Sequence, residues 1–459
     1  MSQDVSVKRS QSNEIDMLHG PLLKKILLFA LPLAASSLLQ ELFNSVDVAV
    51  VGHFVGSNAL AAVGSNAPVI GLLINLFVGV SMGACAVLSH HIGTQNVERI
   101  RRTVNTVGLV ALISGVFLLF LGWIGARPIL TWMGTPPDVL PDAVMYLRVY
   151  FLGMPFIMIF NFGSAILRSV GDTRRPLYIL VAAGVLNTVL NLIFVVFFQL
   201  GVLGVAIATG CANLLSALLI IRVLRREDEP YRLHFDQMRI NMRELQHMLR
   251  IGLPAGVQGV IFSISNVVVQ SSINGFGSDA IAGSAAALNF EYYCYFIIQG
   301  FNGAAISFIA QNYGAGKMDR VHRVFWICMG LSVLFCGAFN TIFATWSDFF
   351  LNFFSETPGV HQYGSIRMHI VLALQFLACS YEIAGSSMRG MGWSLTPAVL
   401  TIFGTCLLRI VWVYFITPQW GSFNVLMLVY PVSWLLTGSM VVIAYWLVVR
   451  RHKPSVANV

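Results

Sequence analysis

The sequence predicts an all-α integral membrane protein of twelve transmembrane helices, arranged as two parallel six-helix repeats. Three observations carry that reading: the composition, the spacing of the apolar runs and a duplication at a fixed offset. Of 459 residues, 57% are hydrophobic and only 10% are charged, against about 25% charged in a soluble globular protein. A bilayer crossing needs about 20 mainly apolar residues. Such runs recur near 22–50, 58–88, 103–125, 142–166, 177–199, 203–224, 250–275, 281–310, 322–346, 363–386, 397–417 and 423–449.

The segments between these runs fix the orientation. Residues 1–21 are mostly polar and form a tail; the apolar run that follows is too long for a signal-peptide core, so it counts as a span. Basic residues gather at alternate ends of the spans: Lys24 and Lys25, then Arg99, Arg101 and Arg102, then Arg168, Arg174 and Arg175. They continue through the polar segment from Arg222 to Arg250, then Lys317, Arg320 and Arg323, then Arg389, and finally Arg450, Arg451 and Lys453. The opposite loops hold little more than Arg127. This asymmetry places both termini in the cytoplasm. It also explains the net charge of +8 without nucleic acid as a partner. Cys85, Cys211, Cys294, Cys328, Cys336, Cys379 and Cys406 all lie in apolar runs without a CxxC pair, so they read as small core residues.

The two halves repeat. At an offset of 221, Gly56 and Ser57 match Gly277 and Ser278, Gly79 matches Gly300, and Gly93, Arg99 and Arg102 match Gly314, Arg320 and Arg323. Arg168, Gly171 and Pro176 match Arg389, Gly392 and Pro397. Six spans per repeat is an even number, so both halves share one orientation, and parallel repeats of this kind are a transporter signature. The expected organisation is an N-lobe at 22–224, a cytoplasmic linker with an amphipathic stretch at 225–249, a C-lobe at 250–449 and a tail at 450–459. Duplication that merely built a helical bundle would leave the intramembrane polar groups without a purpose.

Those groups point to a site. Asp47 lies inside the first run, where a carboxylate costs about 2.5–3.5 kcal/mol to insert. Gln40, Asn44 and Asp47 share one helical stripe, which should face other helices or water. Asn187 and Asn191 are four apart on the fifth span, and Thr209 follows a GVLG turn on the sixth. At the repeat offset their mates are Val268, Leu408, Trp412 and Tyr430, so the oxygen-bearing set belongs to the N-terminal half alone. One carboxylate, two amides and a hydroxyl form an all-oxygen set suited to Na⁺, and a proton can instead reside on Asp47. Helix-to-helix hydrogen bonding is the alternative use, at about 0.6 kcal/mol per contact, but it does not require a carboxylate. In the second half, Glu291 lies among Tyr292, Tyr293 and Tyr295, and Glu382 lies in CSYEIAGSS. Acids beside aromatic faces suit a lipophilic cation. Internal pairing with Arg367 and Arg409, both in apolar runs, is the other reading. Glu41 lies about 120° around the helix from Asp47. YGAGKMDR lacks the first Gly and the Ser or Thr of a phosphate loop, and His90-His91 lacks metal-ligand spacing, so neither marks a site. No nucleophile–base set marks an enzyme.

With LPLAASSLLQELFNSVDVAVVGHFVG in the first span, SVGDTRRP after the fourth, its echo RGMGWSLTP after the tenth, and the duplicated plan, the chain resembles the multidrug and toxic compound extrusion (MATE) family from Gly20 to about Arg451. The resemblance implies two lobes around a V-shaped central cavity and antiport of organic cations against Na⁺ or H⁺, with no cofactor besides the coupling ion. By the resemblance, Asp47, Asn187, Asn191 and Thr209 bind the ion, with the Val205 carbonyl as an extra ligand, and Glu291 and Glu382 match acids of other members. Tyr292 and Tyr295 join those two acids as substrate-binding candidates. Some members carry Asp where this chain has Asn191, and many carry acids in the seventh span, where Gln258, Asn266 and Gln270 stand here. A monomer in a bacterial plasma membrane is expected. Two rivals are a lipid-linked oligosaccharide flippase of related fold, which requires a basic cavity, and an intramembrane lipid-modifying enzyme.

Overall fold

A computed structural model describes residues 14–451; residues 1–13 and 452–459, which include Lys453 and most of both expected tails, lie outside it. All regular elements among the described residues are helical. Eleven helices are long and apolar enough to cross a membrane, and a bent pair completes twelve spans. The N-terminal half holds α1 (Leu22–Phe54), α2 (Ser57–Gly93), α3 (Val97–Trp132), the pair α4 (Leu140–Leu152) and α5 (Met154–Val170), α6 (Arg174–Asn191) and α7 (Gly201–Arg225). The C-terminal half holds α8 (Met242–Asn274), α9 (Ser278–Gly314), α10 (Met318–Thr345), the short α11 (Ser347–Leu351), α12 (Pro358–Arg367) and α13 (Ala378–Gly390). It ends with α14 (Leu395–Thr401), α15 (Leu408–Val411), α16 (Thr417–Trp420) and α17 (Phe423–Arg451).

The deviations from the expected spans have local causes. The fourth span bends by 46° at Gly153, where Pro155 removes a backbone donor from the new first turn. The tenth and eleventh spans, each an unbroken run in sequence, are helices interrupted by π turns at Met368–Leu372, Ile402–Leu407 and Trp412–Ile416. The seventh span starts at Met242 rather than near 250. Asn241 caps it, its Oδ1 accepting from the backbone N–H of Arg243 at 3.1 Å and of Glu244 at 3.3 Å. The charged Arg243, Glu244 and His247 conceal this turn from a hydropathy reading.

The duplication is visible in backbone conformation. Gly56 and Gly277, in the first turns of the two halves, have φ of 115° and 98°, and Gly171 and Gly392 have 101° and 89°. These are conformations that side chains with a Cβ rarely adopt. Upstream of the first turn the register differs by one residue. Pro32 lies inside α1 and Pro254 inside α8, 222 apart. The mate of Asp47 is therefore Val269 rather than Val268; both are valine, so the asymmetry of the acid stands.

The halves are joined at the end of the spans that carries the described termini. Lipid provides no hydrophobic drive between helices, so close backbone approach at small residues is what holds them. Gly79 and Gly83 of α2 meet Gly252 and Gly256 of α8: a Cβ added at Gly252 would lie 2.7 Å from the Gly79 carbonyl oxygen. The repeat-related contact sets Gly300 of α9 against Ala30 and Ala34 of α1, where an added Cβ would lie 3.0 Å from the Ala34 Cβ. Cys85 and Ser307 face each other at 3.5 Å. His91 Nε2 lies 2.8 Å from Glu244 Oε2, both side chains buried.

Each leading helix crosses between cores. Leu22, Ile26, Phe29 and Ala30 of α1 pack in the C-terminal core, whereas Val50 and Val51 pack with Val202 and Val205 of the N-terminal half. Reciprocally, Met248 and Ile251 of α8 belong to the N-terminal core, and Val269 and Ile273 to the C-terminal core. Pro32 and Pro254 sit where the crossings begin. Residues ahead of α1 add a strap. Ile15 N–H donates to Gly171 O at 3.3 Å, while buried Met17 accepts at its carbonyl from Asn312 Nδ2 at 3.1 Å and from Arg320 Nη2 at 3.2 Å.

Replacing Gly252 with valine overpacks this seam. Overpacking costs about 1–3 kcal/mol, which shifts an opening equilibrium by roughly 5–150-fold. In protein whose other six cysteines are serine, maleimide labelling of Cys85 is expected to accelerate within that range, and an unchanged rate would show that the seam does not cover Cys85.

Candidate cation site

Asp47 sits on the part of α1 that belongs to the N-terminal half. Gly184 of α6 admits the Phe43 ring where any Cβ would collide with it, and this brings α1 against α6 one turn before Asp47. The turn at Phe198–Leu200 folds α6 back along α7, so Asn191 and Thr209, either side of it, lie at similar depth. A π turn, Leu192–Phe197, follows Asn191 directly; such widened turns recur at functional sites.

The structure brings all four predicted residues together. Asn191 Nδ2 donates to Asp47 Oδ1 and lies 3.3 Å from Asn187 Oδ1. Asn187 Nδ2 donates to Thr209 Oγ1 at 3.3 Å. Thr209 Oγ1 lies 3.2 Å from Asp47 Oδ2 and 3.0 Å from Val205 O. Asp47, Asn187 and Asn191 are buried. Of the expected stripe, Gln40 and Asn44 are exposed, so the polar face divides and only Asp47 turns into the half.

Counting protons shows what the cluster lacks. The Thr209 hydroxyl has two acceptors in reach, Asp47 Oδ2 and Val205 O, and the second already lies within the hydrogen-bonded body of α7. Asn191 Oδ1 is buried with no hydrogen-bond partner, although most buried polar atoms have one. The cluster thus sets an unpartnered amide oxygen beside a buried carboxylate. A cation or a proton corrects that imbalance, and the amides present oxygen to a cation by rotating about their last torsion. Tyr146 packs in the same small core with Val50, Val202 and Val205, and its ring stacks on Tyr150 at 6.0 Å. Sequence reasoning missed this pair; the only signal was two tyrosines four apart in the fourth span.

In the C-terminal half the acids are separated in kind. Glu291 accepts from Arg367 Nε at 2.6 Å and from Nη2 at 3.0 Å, both residues buried, so its charge is met internally. Among the described residues no arginine is hydrogen-bonded to Glu382, although the charge of Arg389 acts on it: Asn302 Nδ2 donates to it at 2.8 Å and Tyr295 OH at 3.3 Å. Arg409, the other expected partner, instead bonds Asn266 Oδ1 at 2.8 Å. Tyr292 is exposed and Tyr295 partly buried, one turn apart on α9. The earlier start of α8 brings Glu244 into its first turn, at the seam, while 250–275 carries no acid.

Twelve spans in two repeats, with a carboxylate-centred cluster in one of them, define a multi-pass membrane transporter. The MatE family model matches residues 32–193 and again 254–415; the chain belongs to the MATE family, whose members are transporters rather than enzymes. It is 29% identical over 385 residues to the probable multidrug resistance protein YoeA of Bacillus subtilis (strain 168), covering 82% of this chain and 83% of that one. It is 24% identical over 398 residues to the probable multidrug resistance protein YpnP of the same organism, covering 86% and 88%. Among solved structures, the outward-facing conformation of a multidrug resistance MATE family transporter superposes with a TM-score of 0.90, at 21% identity over 97% of this chain and all of that one.

A cation held by the cluster stabilises the folded protein by mass action. Asn191→Leu removes one donor and one candidate ligand, and the concentration of Na⁺ or H⁺ needed for half of the cation-dependent rise in Tm is expected to increase roughly tenfold, the equivalent of about 1.4 kcal/mol. An unchanged midpoint would remove Asn191 from the site.

Proposed function

We propose that the chain is a secondary active multidrug efflux transporter, exchanging lipophilic organic cations for Na⁺ or H⁺ by alternating access. The carrying observation is the unpartnered Asn191 Oδ1 beside buried Asp47. The relatives named as multidrug resistance proteins support the cargo class, and the basic segments support cytoplasmic termini in a bacterial plasma membrane. A monomer suffices, because each chain holds both halves.

Coupling needs only that the ion bind one arrangement of the halves better than the other. The first part of α1 is anchored in the C-terminal half and the part bearing Asp47 in the N-terminal half. Neutralising Asp47 therefore changes the packing of α1, one of the two helices that both halves hold. Pro32 removes a backbone hydrogen bond at the crossing, and this is where the helix yields. With the seam closed at the terminal end, a V-shaped cavity opens to the outside, and cargo entering it meets Glu382 with Tyr295 and exposed Tyr292. Glu291, already paired with Arg367, serves the packing of the C-terminal half. A flippase needs basic groups free to receive pyrophosphate, whereas Arg367, Arg389 and Arg409 bond to Glu291, Gln258 and Asn266.

The test is efflux of a fluorescent lipophilic cation from proteoliposomes under imposed Na⁺ or pH gradients. Asp47→Asn is expected to reduce gradient-driven efflux roughly tenfold or more, a loss of at least about 1.4 kcal/mol of coupling, while cargo binding at equilibrium persists. Full gradient-dependent efflux by the variant would overturn the reading. The gradient that drives the wild-type protein identifies the ion.

A further inference from the structure

The two halves use the same three spans, the first, fifth and sixth, to build a polar centre, but they fill it differently. In the N-terminal half these spans contribute Asp47, Asn187 with Asn191, and Thr209. In the C-terminal half they contribute Asn266 of α8, Arg409 of α15, and Tyr430 with Ser433 of α17. Tyr430 is the repeat mate of Thr209, and Arg409 is the mate of Thr188, next to Asn187. Asn266 is the mate of Asn44 in the register of the two prolines, one turn before Asp47. A π turn follows each fifth-span contribution, Leu192–Phe197 after Asn191 and Trp412–Ile416 after Arg409.

The Arg409 guanidinium lies between two aromatic faces, 4.5 Å from the Tyr430 ring centre and 5.0 Å from that of Phe262. It donates to Asn266 Oδ1 at 2.8 Å and to Ser433 Oγ at 3.4 Å. It is 1% exposed. The carboxylate it was expected to share, Glu382, is bonded elsewhere, and Glu291 is occupied by Arg367, whose own guanidinium lies 5.4 Å from the other ring contact of Arg409, Tyr430. Arginine does not lose its proton in proteins, so this span carries a fixed positive charge within the membrane without a bonded acid. Such charges are costly and mark function. Glue between helices needs an amide or hydroxyl and not a full charge.

We infer that Arg409 is a tethered cation: its guanidinium occupies, in the C-terminal half, the place that the exchangeable ion takes in the N-terminal half. The C-terminal half is thereby held in a permanently loaded arrangement, and only the N-terminal half responds to the ion gradient. This rests on the cation reading of the Asp47 cluster. It accounts for Tyr430 standing where the N-terminal half has Thr209 and for the missing acid: a cation tethered to the chain is held by aromatic faces, and a carboxylate is dispensable.

The experiment is chemical rescue in the full-length protein, reconstituted in proteoliposomes. Arg409→Ala opens a guanidinium-sized space. Its gradient-driven efflux is expected to fall roughly tenfold and to be restored, saturably, by millimolar guanidinium, whereas urea, neutral and of similar shape, restores nothing. Arg409→Lys is expected to keep most of the activity and Arg409→Gln to lose it. If Arg409→Ala does not elute as a folded species, the Lys and Gln pair decides. Wild-type efflux by Arg409→Ala or Arg409→Gln would overturn the inference, as would a loss that neither guanidinium nor lysine restores. Asp47→Asn under the same guanidinium stays inactive. If instead Asp47→Asn is active without any addition, the N-terminal cation reading has failed, whatever Arg409 shows.

Discussion

Helices in lipid gain nothing from hiding apolar surface from one another, because the surrounding chains are equally apolar. The union of the two halves therefore depends on how closely backbones can approach, and here that is decided by Gly79 and Gly83 against Gly252 and Gly256, and by Gly300 against Ala30 and Ala34. Once α2 and α8 touch at that distance, the leading helix of each half must run into the core of the other. The crossing of α1 follows from this, and so does the position of Asp47 on the part of α1 that has returned to its own half. A helix held by two bodies transmits strain between them without a separate relay.

The plan was legible in the sequence because its signals are periodic and redundant. Twelve apolar runs, alternating basic loops and glycines at a fixed offset all point the same way. Asp47, Asn187, Asn191 and Thr209 could be grouped because each differs from its mate in the other half. What escaped were features set by tertiary approach. The one-residue register change before Gly56 is invisible without Pro32 and Pro254 in place. The first turn of α8 was hidden under Arg243, Glu244 and His247. The partners of Glu291 and Glu382 depended on which arginine faces which helix, and two acids and two arginines in apolar runs permit more than one pairing. The π turns of the eleventh span fall within an unbroken apolar run and leave the hydropathy pattern unchanged.

A duplicated protein can keep two equivalent sites or let one decay. This chain does neither. The C-terminal half has valine at the mate of Asp47, yet a polar centre stands at the meeting of the same three spans, satisfied by a side chain of the opposite charge. Fixing one half and leaving the other responsive gives a two-body machine a single input. Two responsive halves would require that their ions bind in concert, or else populate mixed arrangements in which neither side is sealed.

The strap ahead of α1 sets a geometric limit on any motion of the halves. Ile15 is fixed to Gly171 in one half, and Met17 to Asn312 in the other. A fully extended chain spans at most about 3.3–3.6 Å per residue, so two residues bridge roughly 7 Å. While both anchors hold, the ends of the halves at this point cannot part further than that. Wider separation must release one anchor. If Ile15 stays and the Met17 bonds open, the hold passes first to Leu18 O, bonded by Lys317 Nζ at 3.1 Å, and then to Gly20 O, bonded by Arg320 Nη1 at 3.2 Å, so the reach grows to roughly 17–18 Å at Gly20. The segment ahead of α1 thus acts as a leash let out in steps, each set by which of Met17, Leu18 and Gly20 is still bonded.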